Sequence, residues 1–174
     1  MKTTKRCQAL VWISFLGLAT AAAVAEPVSG ISFKPSVPFA EGVIPDAIKN
    51  ECDLPKTLAD DVIKAAQKLD VPLRVSEDEA DFQETNKVLV MEIAEATPGA
   101  FGVAGIGKVP ATLKVTFQLV QNGEVLLRNT KDCHTKTGGF MGMNVTACSR
   151  LEHCADSTAL FVVRTLAKRV DLLP

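Results

Sequence analysis

Between Ala111 and Arg128 the chain alternates with a period of two. Leu113, Val115, Phe117 and Leu119 fall on one side, and Thr112, Lys114, Thr116 and Gln118 on the other. Successive side chains of a strand point to opposite faces, so the stretch is committed to a strand with one apolar and one polar face. Asn122-Gly123 then supplies a turn, and Val125 to Arg128 opens a second strand. Two registers are open for this hairpin. A two-residue loop pairs Leu119 with Leu126 and Phe117 with Arg128, which puts a charge on the apolar face. A three-residue loop, Gln121 to Gly123, pairs Leu119 with Val125 and Phe117 with Leu127, keeping that face intact, with Gly123 in the left-handed conformation. The second register is the one expected, as the centre of a sheet with one covered face.

The first 25 residues read as a processing signal. Lys2, Lys5 and Arg6 form a basic head, Ala9 to Ala23 an apolar run, and Ala23-Val24-Ala25 a small-residue cleavage site, which is the layout of a secretory signal peptide. The run falls short of the ~20 apolar residues that span a bilayer. No cysteine follows it closely enough for lipid attachment. The expected domains are a signal peptide over 1–25, a proline-rich arm over 26–44 and a single α/β domain over 45–174. The formal charge is −1, and losing Lys2, Lys5 and Arg6 takes it to −4. Such a chain lacks the concentrated positive field that nucleic-acid binding requires. No later stretch is long and apolar enough to span a membrane.

Export makes the four cysteines beyond the signal, Cys52, Cys133, Cys148 and Cys154, disulfide candidates. Cys148 and Cys154 flank a helix start and are poorly placed for each other. The expected pattern joins Cys133 to Cys148 or Cys154, and Cys52 to the remaining one.

Along the chain, Pro27, Pro35 and Pro38 mark an extended arm in which Ile31-Ser32-Phe33 forms at most an edge strand. Pro45 to Cys52 suits a short helix with Pro45 in its first turn. A longer helix runs from about Leu54 to Leu69, capped by Asp53, with Leu58, Val62, Ala65, Ala66 and Leu69 as its apolar stripe. Pro72 to Asn86 is acidic and reads as irregular or partly helical. Lys87 to Ile93 reads as a strand with Leu89, Met91 and Ile93 on its core face. Glycine-rich connections span Glu95 to Pro110 and Thr135 to Asn144. Ser149 and Glu152 form a capping box for a last helix, whose core stripe runs through Leu151, Cys154, Ala155, Thr158, Phe161, Val162, Thr165, Leu166 and Val170. The fold class is therefore α/β, of the α+β type, with a mixed or mostly antiparallel sheet backed by two main helices.

The chemical signals are weak. Gly102, Gly107 and Lys108 copy part of a phosphate-binding loop, but Val109 stands where Ser or Thr should hold magnesium, and a strand rather than a helix follows. Cys133, His134, His153 and Cys154 supply the donor types of a tetrahedral metal site at a non-standard spacing, and disulfide formation would use the same sulfurs. Cys133-His134 and His153-Cys154 are poor catalytic dyads, since neighbours diverge on a strand and on a helix. Glu77, Asp78, Glu79, Asp81 and Glu84 lack the glycine-centred loop of a calcium site and read as a solvated acidic face. Asn144-Val145-Thr146 is a glycosylation acceptor only where the secreting cell has that machinery. The best binding residues are Phe140, Met141 and Met143, apolar side chains in a glycine-rich loop.

The block from Val88 to Val170 resembles the DUF4410-type domain of exported bacterial proteins. That group is related in architecture to the α/β domains of curli-secretion lipoproteins and to the TolB N-terminal domain. The resemblance is carried by the strand ending Thr97-Pro98-Gly99, a glycine-containing loop and the alternating strand Thr112 to Val120. The turn, Gly138-Gly139-Phe140 and a closing amphipathic helix complete it. This chain departs from many members in lacking a lipoprotein cysteine and in carrying four cysteines. The resemblance supplies no catalytic residues and implies a periplasmic or secreted binding or assembly module. No cofactor is expected; the expected partner is an envelope protein or an apolar ligand. The alternatives are a small periplasmic hydrolase-like enzyme, which needs a cleft setting His134 or His153 beside an acid, and a small-ligand or metal carrier.

Overall fold

The computed structural model describes residues 30–42, 44–78, 82, 87–99, 110–135 and 147–169. The alternating stretch forms strand β4 (Thr112–Gln121), hairpinned to β5 (Glu124–His134). Leu113, Val115, Phe117 and Leu119 are fully buried. The hairpin loop has two residues, not the three expected: Gln121 lies opposite Glu124, and Asn122 and Gly123 have φ of +53° and +76°. Two successive left-handed residues make the mirror-image turn that matches strand twist, and Asn-Gly is the pair best suited to it. The apolar register is rescued by a bulge instead. Leu119 faces Leu127 while Val120 faces Val125, which leaves Leu126 as the extra residue. That single insertion moves Arg128 to the polar face, where its Nη2 donates to Gln118 Oε1 at 3.1 Å. It also sets Asn129, rather than Leu127, opposite Phe117.

Before the hairpin come β1 (Ile31–Phe33), α1 (Asp46–Glu51), α2 (Leu54–Lys68), β2 (Leu73–Val75) and β3 (Lys87–Thr97); α3 (Ala147–Ala167) follows it. The sheet order is β2-β1-β3-β4-β5. β1 is parallel to both its neighbours, and the β3–β4 and β4–β5 pairs are antiparallel, so the sheet is mixed. The edge position expected for Ile31-Ser32-Phe33 is thus corrected to an interior one, with all three residues buried. Pro35 and Pro38 lie beyond the strand and remove none of its amide donors. The chain after β1 is then fastened to β3, where Ile93 N–H donates to Pro38 O and Ala40 N–H to Ile93 O, both at 2.9 Å. The stretch 72–86 also gains a strand that its acidity concealed. Ile31 N–H donates to Pro72 O at 2.8 Å and Ser76 N–H to Phe33 O at 3.1 Å, one at each end of β2.

Helices α2 and α3 pack against each other and cover one face of the sheet. Leu54, Leu58, Ala59, Val62, Ala65 and Ala66 form the buried stripe of α2, with Leu69 partly buried beside it. Asp53 occupies the N-cap position without a side-chain cap bond, and Pro45 is the N-cap of α1 rather than a residue of its first turn. Helix α3 begins at Ala147, so Ser149 lies inside it and the expected capping box does not start it. Leu151, Cys154, Ala155, Thr158, Val162 and Leu166 are buried as their spacing predicts. Phe161 is only partly buried. Its ring meets Phe117 edge-on at 6.2 Å, with Lys131 Nζ 5.1 Å from its centroid. The opposite face of the sheet carries exposed Val90 and Glu92 on β3 and the polar residues of β4 and β5.

Candidate functional site

Two disulfides fasten α3 at separate points. Cys52, at the end of α1, is bonded to Cys148 in the first turn of α3, with Cα atoms 5.3 Å apart. Cys133, near the end of β5, is bonded to Cys154, with Cα atoms 5.6 Å apart. Both spans suit a bridge, and together they use every cysteine beyond Cys7. α3 is therefore crosslinked to the α1–α2 junction and to the sheet.

The second bridge borders a cleft of about 370 Å³ lined by Cys133, His134, Thr135, His153 and Ser157. The fold thus gathers both histidines of the chain at one site, although they are 19 positions apart in the sequence. The arrangement differs from a Cys₂His₂ centre, because sulfurs bonded to each other are not thiolate donors. His134 Nδ1 forms a 3.0 Å hydrogen bond with Thr112 Oγ1. Thr135 closes the strand end, its N–H donating to Ala111 O at 2.9 Å and its Oγ1 accepting from Ala111 N–H at 3.2 Å. Among the described residues, no carboxylate lines the cleft. Among the described residues, no group of three or more His, Cys, Asp or Glu side chains is placed to hold a metal ion.

A second concavity, about 340 Å³, lies between the segment after β1 and strand β3. Phe33, Val37, Pro38, Phe82, Val88 and Met91 line it, and Lys34 Nζ sits 5.3 Å from the centre of the Phe82 ring. Sequence reasoning missed this groove. Its one local signal is Phe82, an isolated aromatic residue in an acidic stretch.

The open sheet face carries a ladder of cross-strand polar pairs. Thr112 meets His134, Lys114 approaches Asp132 at 3.9 Å, Thr116 meets Thr130 at 3.4 Å, and Gln118 meets Arg128. With side chains 43% and 53% exposed, the Lys114–Asp132 pair contributes at most about 1 kcal/mol. Phe140, Met141 and Met143, expected to bind, lie outside the described residues. So do Gly102, Gly107 and Lys108, Asn144 to Thr146, and Glu79, Asp81 and Glu84 of the acidic group. Among the described residues, no helix is long and apolar enough to cross a membrane.

No family model matches the chain. Nor does any curated protein. Solved structures do match. The PelC dodecamer from Paraburkholderia phytofirmans is 18% identical, with a TM-score of 0.51 over 80% of this chain and 87% of that one. Protein XCC0632 from Xanthomonas campestris, of family DUF330, is 12% identical, with a TM-score of 0.51 over 84% of this chain and 92% of that one. Hypothetical protein CT253 from Chlamydia trachomatis is 11% identical, with a TM-score of 0.50 over 80% of this chain and 98% of that one. At these identities the likeness is one of fold.

Proposed function

We propose that this chain is an exported cell-envelope protein that works by binding and assembly rather than by catalysis. The observation that carries the reading is the pair of disulfides, which use all four cysteines beyond Cys7 to hold α3 to the rest of the fold. Such bridges persist in oxidising compartments, which is where the leader over 1–25 would deliver the chain. Assembly is supported by fold analogy, since a neighbour of the same architecture is described as a dodecamer. The DUF4410-type resemblance points the same way. In this reading the bridged body is a rigid frame, and Phe140, Met141 and Met143 are the apolar contact for an envelope partner. Replacing all three by Ser in the exported, oxidised protein and repeating affinity capture from the native envelope tests it. The expected result is loss of a partner seen with the unaltered chain; an unchanged partner set overturns the assignment of the loop.

Of the alternatives, the hydrolase needs a histidine beside an acid, and among the described residues the cleft offers His134, His153 and Ser157. Ligand carriage is favoured by the groove beside Phe82, which has the size and apolar lining of a small-molecule site. Titration with an apolar fluorescent dye distinguishes it. Carriage predicts saturable binding that Phe82→Ser abolishes, and a signal that never saturates excludes it.

A further inference from the structure

β5 is the last strand on its side of the sheet, and among the described residues no strand pairs with its outer edge. It is 11 residues long, whereas β2 at the opposite edge has three. Thr135 N–H is given to Ala111 O, and the pairing runs unbroken from Thr112–His134 to Leu119–Leu127. By strand alternation, Leu127, Asn129, Lys131 and Cys133 direct their backbone groups toward β4. Arg128, Thr130, Asp132 and His134 direct theirs outward. Natural edges are usually blunted by proline, bulges or short length. From Leu127 to His134 this edge has neither proline nor bulge, the bulge lying earlier, at Leu126. Its Thr130 N–H is held by Asn129 Oδ1 at 2.8 Å, a bond within the chain that pairing must exchange for one to the second copy. The charge on its helix side, Lys131, is drawn over the Phe161 ring.

We propose that β5 is a self-association edge, at which two copies of the chain pair antiparallel about a twofold axis through Thr130. Charge selects this register. Across the open face, the row Glu95–Lys114–Asp132 reaches the edge as a negative group, and the row Val90–Gln118–Arg128 reaches it as a positive one. An axis at Thr130 sets each Arg128 opposite Asp132 of the second copy, twice per dimer. It also brings outward-facing backbone against outward-facing backbone. An axis at Arg128 stacks like charges and sets Glu124 against Asp132. Axes at Lys131 or Asp132 stack lysines or aspartates, and one at Asn129 forgoes both ion pairs. Like charges directly opposite destabilise a pair of strands, and opposite charges stabilise it. The sheet then continues through both copies with its polar face on one side. This names a second copy as one partner within the assembly reading, and it does not involve residues 140–143.

The test is sedimentation of the exported, oxidised protein from about 1 to about 100 μM. A monomer–dimer equilibrium is expected. Arg128→Asp and Asp132→Arg should each weaken dimerisation about tenfold, as replacing two attractive pairs by two repulsive ones requires. The double variant should restore it. Thr130→Pro, which deletes a central outward donor, should be monomeric with unchanged circular dichroism. The triple Ser variant at Phe140, Met141 and Met143 should remain dimeric, which separates this edge from the loop reading. A monomer at the highest concentration overturns the proposal. So does a dimer that ignores both charge reversals, or one lost only in the triple variant.

Discussion

Thr158 is fully buried on α3, and its Oγ1 has no hydrogen-bond partner among the described residues. A buried, unsatisfied hydroxyl costs about 1–3 kcal/mol, and valine fills nearly the same volume. Thr158→Val is therefore expected to raise the unfolding free energy by about 1 kcal/mol in a denaturant titration; a loss would mean the hydroxyl is satisfied in solution. The two phenylalanines that meet edge-on should differ. Phe117→Ala, at a fully buried site, should cost about 3–5 kcal/mol. Phe161→Ala should cost clearly less, because one side of its ring faces Lys131 rather than core. Equal costs in the same titration would contradict that placement. The apolar side of β4 and most of those of α2 and β3 were legible, because each repeats at the period of its own element. Leu54 and Ala59 were not, nor was Ala96, where β3 runs on into the stretch expected to be a connection. Phe161 was not, because its helical spacing matches that of Val162 and Leu166, and its exposure depends on how far the sheet extends beneath α3. That extent is fixed by β5, whose helix-facing residues turn from Leu127 to Asn129 and Lys131.

Among elements, the β4–β5 hairpin shows how turn and bulge divide the task. Asn122 and Gly123 meet the left-handed requirement locally, and Leu126 corrects the register that this turn would otherwise impose. A Cβ at Gly123 would meet no atom within 4 Å. Gly123→Ala should thus cost only the conformational penalty, about 1–2 kcal/mol, read as a shift in the denaturation midpoint. No shift would mean another turn type. The turn was signalled by Asn-Gly. The bulge was not, since it arises from a conflict between turn geometry and burial that no single residue marks. β1 was recognisable from Ile31 and Phe33, but its interior position depends on pairing with residues 73–75 and 87–89. Such long-range pairing leaves no periodic trace in a strand of three residues.

At the scale of the molecule, the described residues form a two-layer body whose α3 is bonded covalently at two points, and the two bonds close loops of different lengths. Cys52 and Cys148 are 96 positions apart, Cys133 and Cys154 only 21. On the chain-entropy account, a disulfide contributes about 4.7 kcal/mol when closing 100 residues and about 3 kcal/mol when closing 15. Replacing Cys52 and Cys148 by Ala should therefore lower stability more than replacing Cys133 and Cys154. The reverse order, measured by thermal unfolding, would show that local packing around α3 outweighs loop length. Which cysteines were available was legible from their number and from the leader expected over 1–25. The choice between Cys148 and Cys154 was not, because it depends on α3 beginning before Ser149. The histidine cleft and the groove at Phe82 were likewise hidden, being assembled from distant segments. Compartment remains the claim on which the functional account rests, and unreduced peptide mapping with intact mass, on protein recovered from its native cell after blocking of free thiols, tests it most directly. The account predicts a chain beginning at Glu26, with Cys52 joined to Cys148, Cys133 joined to Cys154, and no blocked thiol; a chain retaining Met1, with all its cysteines blocked, would contradict it.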